Sequence, residues 1–310
     1  MKTYAPDYYK NFHCIADKCK HSCCIGWDVY IDEDTEKKYR ALPGNLGESI
    51  RACLCEKDDG VCFVMSDSGR CPFLDDDGLC RIILQKGEDC ISEICREHPR
   101  FYNFFSDRAE VGLGISCEEA ARIILSQQKI PDLAVIDEDD CEEEALWEDE
   151  AYVLEKRNEM LSLIRSDLSF HKTVCSLLEL CGTIIPNKTF AEWAEIFSSL
   201  ERLDSEWDGL LKILASCDNT LLYIDNLEIP LKNLLHYFVY RHVSAANEDN
   251  IAASCAFACL SATVIGAICN AEAKKSGNCS LEYLCNIARL YSAEIEYSEE
   301  NTEKIISLLM

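Results

Sequence analysis

The chain is short of positive charge. Lys and Arg number 30 against 56 Asp and Glu in 310 residues, for a formal net charge of −26. This argues against nucleic acid as a partner, because phosphate binding is driven by Lys and Arg neutralising the backbone. An acidic surface suits a cationic target such as a lysine side chain, and also serves plain solubility. No Gly-x-Gly-x-x-Gly follows a strand to open a helix; Val111-Gly112-Leu113-Gly114-Ile115 contains glycines without that pattern, so no Rossmann-type cofactor site is visible. The opening stretch from Met1 to Lys10 lacks the apolar core of a signal peptide. The three-cysteine spacing of radical S-adenosylmethionine enzymes is missing as well, because Cys19 and Cys23 are followed directly by Cys24, and the spacings do not fit the ferredoxin run.

What the chain has in abundance is cysteine. An odd count of 21 thiols without an export signal points to a reducing cytoplasm and to metal ligation rather than a disulfide framework. Two stretches organise the first third. One carries Cys14, Cys19, Cys23 and Cys24; the other carries Cys71 and Cys80 and continues to Cys95-Arg-Glu-His98-Pro99-Arg100. Thiols so closely spaced can converge on zinc or on an iron–sulfur cluster, since thiolates suit the tetrahedral geometry of both. Cys53, Cys55 and Cys62 fall in a polar loop or hairpin and rank below this set. Asp75-Asp76-Asp77-Gly78 reads as a solvated turn that returns Cys80 towards Cys71, because the alternating acids and distal Glu of a calcium loop are absent.

Residues 27–32 alternate apolar Trp27, Val29 and Ile31 with polar Asp28, Tyr30 and Asp32, the period of a short strand. A helix is expected over 34–42, ended by Pro43-Gly44-Asn45, and another over 89–97 stopped by Pro99. Ser116 and Glu119 have the spacing of a capping box, which places Cys117 at a helix N-terminus where dipole and amides favour a thiolate. The acidic run 137–144 reads as a linker or flap. Helical periodicity then covers 147–165, 168–181, 190–203, 207–215, 231–246, 282–297 and 298–309. Residues 250–271 carry no charge in their apolar stretch and approach membrane-spanning length. Their richness in Ala, Ser, Thr and Cys points instead to a helix buried in a close-packed bundle. The expected fold is mainly α: a Cys-rich metal-binding module with short strands and helices (1–130), an acidic linker or flap (131–145) and a helical domain (146–310).

Phe12-His13-Cys14, Cys19-x-x-x-Cys23-Cys24-x-Gly26-Trp27, Cys71-Pro72-Phe73-Leu74 with Gly78-Leu79-Cys80, Cys95-x-x-His98-Pro99-Arg100 and Ser116-Cys117-x-Glu119-x-Ala121-Arg122 together resemble the flagellin lysine-N-methylase family. Two C-terminal segments, 237–242 (Tyr-Phe-Val-Tyr-Arg-His) and 292–301, also resemble it, so the likeness runs through nearly the whole chain. The N-terminal third separately resembles small cysteine-rich proteins that chelate zinc or iron.

The methylase resemblance implies methylation of flagellin lysines in the cytoplasm, S-adenosylmethionine as donor, and a [4Fe-4S] cluster, with zinc as the alternative metal. It carries over Cys14, Cys19, Cys23, Cys24, Cys71, Cys80, Cys95 and Cys117, more thiols than one four-iron cluster uses. His98 stands where a tyrosine is expected and Cys90 where an apolar residue is expected. Asp28, Tyr30 and Asp32 are candidates to orient the substrate amine, and Arg100 to pair with the donor's carboxylate. The competing reading is a non-catalytic metal-binding protein.

Overall fold

The structure, a computed structural model, describes residues 1–57, 60–138, 145–218 and 225–310. In chain order its strands are β1 (Lys2–Pro6), β2 (Leu54–Lys57), β3 (Gly60–Phe63), β4 (Arg100–Phe104), β5 (Arg108–Leu113) and β6 (Leu133–Glu138). The first helices are α1 (Glu33–Ala41), α2 (Gly44–Ala52), α3 (Arg81–Lys86), α4 (Glu93–Glu97) and α5 (Glu118–Leu125). They are followed by α6 (Glu148–Arg165), α7 (Phe170–Leu180), α8 (Phe190–Ser198), α9 (Ser205–Ala215), α10 (Glu228–His242), α11 (Ile251–Ser276), α12 (Leu281–Tyr291) and α13 (Glu299–Ser307). The chain is therefore mainly helical with a few short strands.

Contacts divide it into two compact units, one of His13–Pro99 and one of Met1–Phe12 with Arg100–Met310. The sequence boundaries at 130 and 145 fall elsewhere, for a topological reason. β1 lies between β5 and β6 in a four-stranded sheet of order β4-β5-β1-β6, parallel to β5 and antiparallel to β6. The N-terminus thus belongs with the helical unit. The first part of the expected linker is the strand β6, an edge strand; its acidic residues sit on exposed positions, where charge also guards the open edge. Residues 139–144 of the acidic run lie outside the described residues.

In the 13–99 unit, α1 starts at Asp32, whose Oδ1 accepts the Thr35 amide at 2.9 Å, and three acids in its first turn complement the helix dipole. The turn into α2 is tight: a Cβ on Gly47 would lie 1.9 Å from the Leu42 carbonyl oxygen, so only glycine fits. Residues 27–32 do not form a strand. Their alternation holds in burial, with Val29 and Ile31 inside. Backbone pairing with β3 is limited to the Ile31 amide on Val61 O (2.8 Å), the Phe63 amide on Val29 O (3.2 Å) and an isolated bridge between Tyr30 and Cys62. The expected 89–97 helix is split into a 3-10 turn at Glu88–Cys90 and the short α4. Tyr39, Ile50, Phe63, Phe73, Ile82 and Ile91 form the small core.

The helical unit follows its apolar periodicity with shortened ends. α8 stops at Ser198, α10 gives way to a 3-10 segment Ala245–Asn250, and α12 continues into a π-helical turn at Ser292–Glu296. The capping box expected at Ser116 is absent. Cys117 is the N-cap of α5 without a side-chain cap bond, and the Ser116 hydroxyl is buried without a partner. Glu119 instead grips Arg122 one turn on through two bonds of 2.7 and 2.6 Å. α11 is long and apolar enough to cross a membrane by length and composition, with mean hydropathy 2.1, yet 83% of its most apolar window is buried inside its own unit. Such burial is what a bundle's core helix requires.

Candidate functional site

The unit 13–99 carries seven of the eight thiols singled out above; Cys117 belongs to the other unit, packed against the helical core. Cys14 and Cys23 are exposed, and the Cys19 thiol donates to His21 O at 3.2 Å. Cys24 and Cys71 are tied by a backbone bond, Cys71 N–H to Cys24 O at 2.9 Å. The Asp75 turn delivers Cys80: Asp75 Oδ1 accepts the amides of Asp77 (3.1 Å) and Leu79 (2.8 Å), and Leu74 bridges Cys80. The turn is thus an aspartate-capped loop, as its composition implies. Trp27 closes the preceding segment, its Nε1 donating to Cys23 O at 2.6 Å and its ring stacking on His98.

Cys24, Cys71, Cys80 and Cys95 share one electrostatic neighbourhood. Burial first, and then neighbouring thiolates, push Cys71 up to about 12 and Cys95 up to about 11, and Cys80 upward too. Cys24 alone goes down, to about 7, through a hydrogen bond from Cys23, another from Ser22 and the charge of Arg70. The Tyr39 hydroxyl, beside Cys95, Cys80 and Cys90, is buried without a hydrogen-bond partner. An orphaned hydroxyl among soft donors is the surrounding a thiophilic group would complete. Among the described residues, however, no three His, Cys, Asp or Glu side chains are gathered as a metal ion would hold them. Donor chemistry and neighbourhood fit; the ligating geometry is not formed. His98 is drawn down to about 4 by burial and is therefore neutral at physiological pH.

A cavity of about 360 Å³ in the same unit is lined by Tyr30, Ile31, Asp32, Gly60, Val61, Glu93 and Ile94. Asp32 is pinned there, Oδ1 on Thr35 and Oδ2 on the Glu93 amide at 2.9 Å. Burial acts to raise its pKa, but these amide bonds outweigh it and keep the carboxylate ionised. Asp28 stands apart, paired with Lys57 at 2.6 Å. Arg100, in the other unit, donates from Nε to the Tyr9 hydroxyl at 2.9 Å and lies over the Tyr9 and Phe12 rings.

The helical unit holds a polar cluster whose residues carry the C-terminal resemblance but had no role assigned from sequence. Glu296, on the π-helical turn, accepts the Tyr237 hydroxyl at 3.1 Å and His242 Nε2 at 2.7 Å, with Arg241 Nε 3.5 Å away. Arg241 in turn donates to the Tyr237 oxygen at 2.7 Å and is flanked by the rings of Phe101 and Tyr297. Two residues apart on a helical turn point to nearly opposite sides. Glu294 accordingly accepts the amides of Leu203 and Asp204, in the turn before α9, at 3.0 and 2.6 Å, while Glu296 receives side chains of α10. The only local signal was four ionisable or hydroxyl-bearing residues inside apolar helical patterns.

No family model matches the chain, and no solved structure matches it. Over 139 residues it is 26% identical to lysine-N-methylases of Salmonella choleraesuis and Salmonella typhimurium, an overlap of 43% of this chain and 34% of each relative. It thus spans about a third of the length of these methylases. Over 127 residues it is 30% identical to the flagellar biosynthetic protein FliU of Salmonella muenchen, with 39% of this chain aligned. Because that alignment covers 75% of the relative, the chain belongs to the family of the flagellar biosynthetic protein FliU.

Proposed function

We propose that this protein is a lysine N-methyltransferase acting on flagellin, with S-adenosylmethionine as donor and dependence on a [4Fe-4S] cluster. The observation that carries the reading is the 26% identity to two proteins named lysine-N-methylase, joined by the relation to a flagellar biosynthetic protein. The acidic surface supports it, since a net charge of −26 favours approach of a lysine-bearing segment.

The cavity of Tyr30, Asp32 and Glu93 is the proposed seat of the substrate amine. Ile31, Val61 and Ile94 flank the lysine methylenes and weaken hydration of the ammonium, whose free pKa near 10.4 must be overcome. Asp32, held rigid by two backbone amides, and the Tyr30 hydroxyl orient the nitrogen; the Glu93 carboxylate takes the proton that leaves. The donor supplies an electrophilic methyl group. The freed nitrogen lone pair forms the N–C bond as the C–S bond breaks and its electron pair stays on sulfur, so positioning is the main catalytic device. Cys24, Cys71, Cys80 and Cys95 would hold the cluster, which serves to fasten their segments together.

An anaerobic preparation of the full chain, assayed for iron, sulfide and zinc and then incubated with donor and cognate flagellin, tests both parts. Methyl mass on flagellin lysines is expected. No gain with iron-replete protein refutes the methylase reading, and zinc without iron or sulfide refutes the cluster and favours non-catalytic zinc chelation. Cys80→Ser should lose the metal, whereas Cys259→Ser, in the core of α11, should keep it.

A further inference from the structure

The hairpin of β2 and β3 holds a pair of thiols that the methyl-transfer reading does not use. Cys55 and Cys62 face each other directly in the antiparallel register, with their sulfurs 3.3 Å apart. Opposed residues of an antiparallel pair have Cα atoms about 4.5 or 5.5 Å apart. Both spacings lie within the range a disulfide bridges without moving the backbone. The two thiols differ in access: Cys62 is fully buried and bridged to Tyr30, while Cys55 is partly exposed. Cys55 is therefore the sulfur that meets solution first, and burial, then Cys55 itself, push the Cys62 thiol up to about 11. Cys269 and Cys279 also adjoin each other, but both are fully enclosed in the helical unit and lack such access.

We propose that Cys55 and Cys62 form a reversible thiol–disulfide modification site that exchanges with low-molecular-weight disulfides of the glutathione class. The Cys55 thiolate attacks one sulfur of oxidised glutathione; that S–S bond breaks, and a glutathione thiolate leaves with the electron pair and takes up a proton. Cys62, its proton released to solvent, attacks the Cys55 sulfur of the mixed disulfide and expels the second glutathione thiolate, which is protonated in turn. Two protein thiols lose two electrons and two protons, and one oxidised glutathione becomes two reduced molecules. The bond staples β2 to β3. It also fixes the strand whose Gly60 and Val61 line the cavity of Tyr30 and Asp32, which couples thiol state to that cavity.

The test incubates the full-length protein in buffers of graded reduced-to-oxidised glutathione, quenches with acid, alkylates the remaining thiols and maps unreduced peptides by mass spectrometry. The Cys55–Cys62 linkage, two hydrogens lighter than the dithiol, should form before exposed Cys175 is glutathionylated and should revert on adding reduced glutathione. Cys62→Ala should trap glutathione on Cys55, whereas Cys55→Ala should leave Cys62 unmodified; circular dichroism checks that each variant is folded. The proposal is overturned if both thiols remain alkylatable after Cys175 has reacted, if Cys55 links to a different cysteine, or if Cys62 takes up glutathione as readily as Cys55. Should Cys62→Ala fail to fold, linkage mapping on the wild-type chain decides alone.

Discussion

Glu296→Gln probes whether charge holds the two C-terminal motif segments together. The Glu296 side chain is fully enclosed and its ion-pair partner Arg241 is 14% exposed, so removing the carboxylate charge leaves a guanidinium facing a neutral amide. Breaking a buried pair by removing one partner costs about 3–5 kcal/mol. The lower end, about 3 kcal/mol, is expected here because Arg241 keeps its bond to Tyr237 and its place over the Phe101 and Tyr297 rings at 5.1 and 5.0 Å, and the Gln oxygen still accepts from His242. The assay is urea unfolding followed through the emission of buried Trp193 and Trp207, which lie in the same unit. Adding Arg241→Met removes the stranded cation and should recover at least about 1 kcal/mol, a coupling that independent sites would not show. The pH profile gives a second readout. Burial alone would raise the Glu296 pKa, but Arg241 and His242 outweigh it and hold the carboxyl below its ordinary 4.5. Its contribution is therefore complete above that ordinary value and lost as pH falls through the folded one. Glu296→Gln should lose this acid-side decline. A cost within about 0.5 kcal/mol of zero, or additive single and double variants, would refute the reasoning.

His236 supplies a separate pH signature. Burial first, then Arg165 and Arg157, draw its imidazole down to about 3, so the folded form stays neutral where the unfolded chain protonates near 6.5. Its contribution is complete above the unfolded value and falls by up to about 1.4 kcal/mol per pH unit between the two; His236→Leu should flatten that slope in urea midpoints measured from pH 7 to 4. Gly112→Ala should destabilise the sheet by about 1–3 kcal/mol. Its Cβ would lie 2.2 Å from Phe101 Cζ, and Phe101→Leu in the same chain should relieve most of the loss in thermal melts.

Several features were legible in the sequence because they are local. Apolar residues every three to four positions specify α6, α7 and α9 nearly to their ends. The turn at Asp75 follows from a side chain that bonds amides two and four residues on. The hairpin around Cys55 and Cys62 was one of two readings of a polar, glycine-containing stretch, and register decided between them. At 116–119 a local rule misled: the capping spacing was present, but Glu119 had a stronger partner in Arg122.

The four-stranded sheet was not legible. β1 must travel past the whole 13–99 unit to lie parallel to β5, and nothing in Lys-Thr-Tyr-Ala-Pro announces that pairing. The Glu296 cluster was hidden for the same reason: its carboxylate meets residues 54 and 59 positions away. The sequence by itself determined which segments are helical, where thiols concentrate and how acidic the surface is, because these depend on near neighbours and on composition. Only tertiary structure decided the strand order, the register that sets Cys55 against Cys62, the Arg241 and His242 contacts that keep Glu296 an anion, and the burial that makes His236 a neutral ring. Those outcomes arise from groups far apart in the chain being withdrawn from water together.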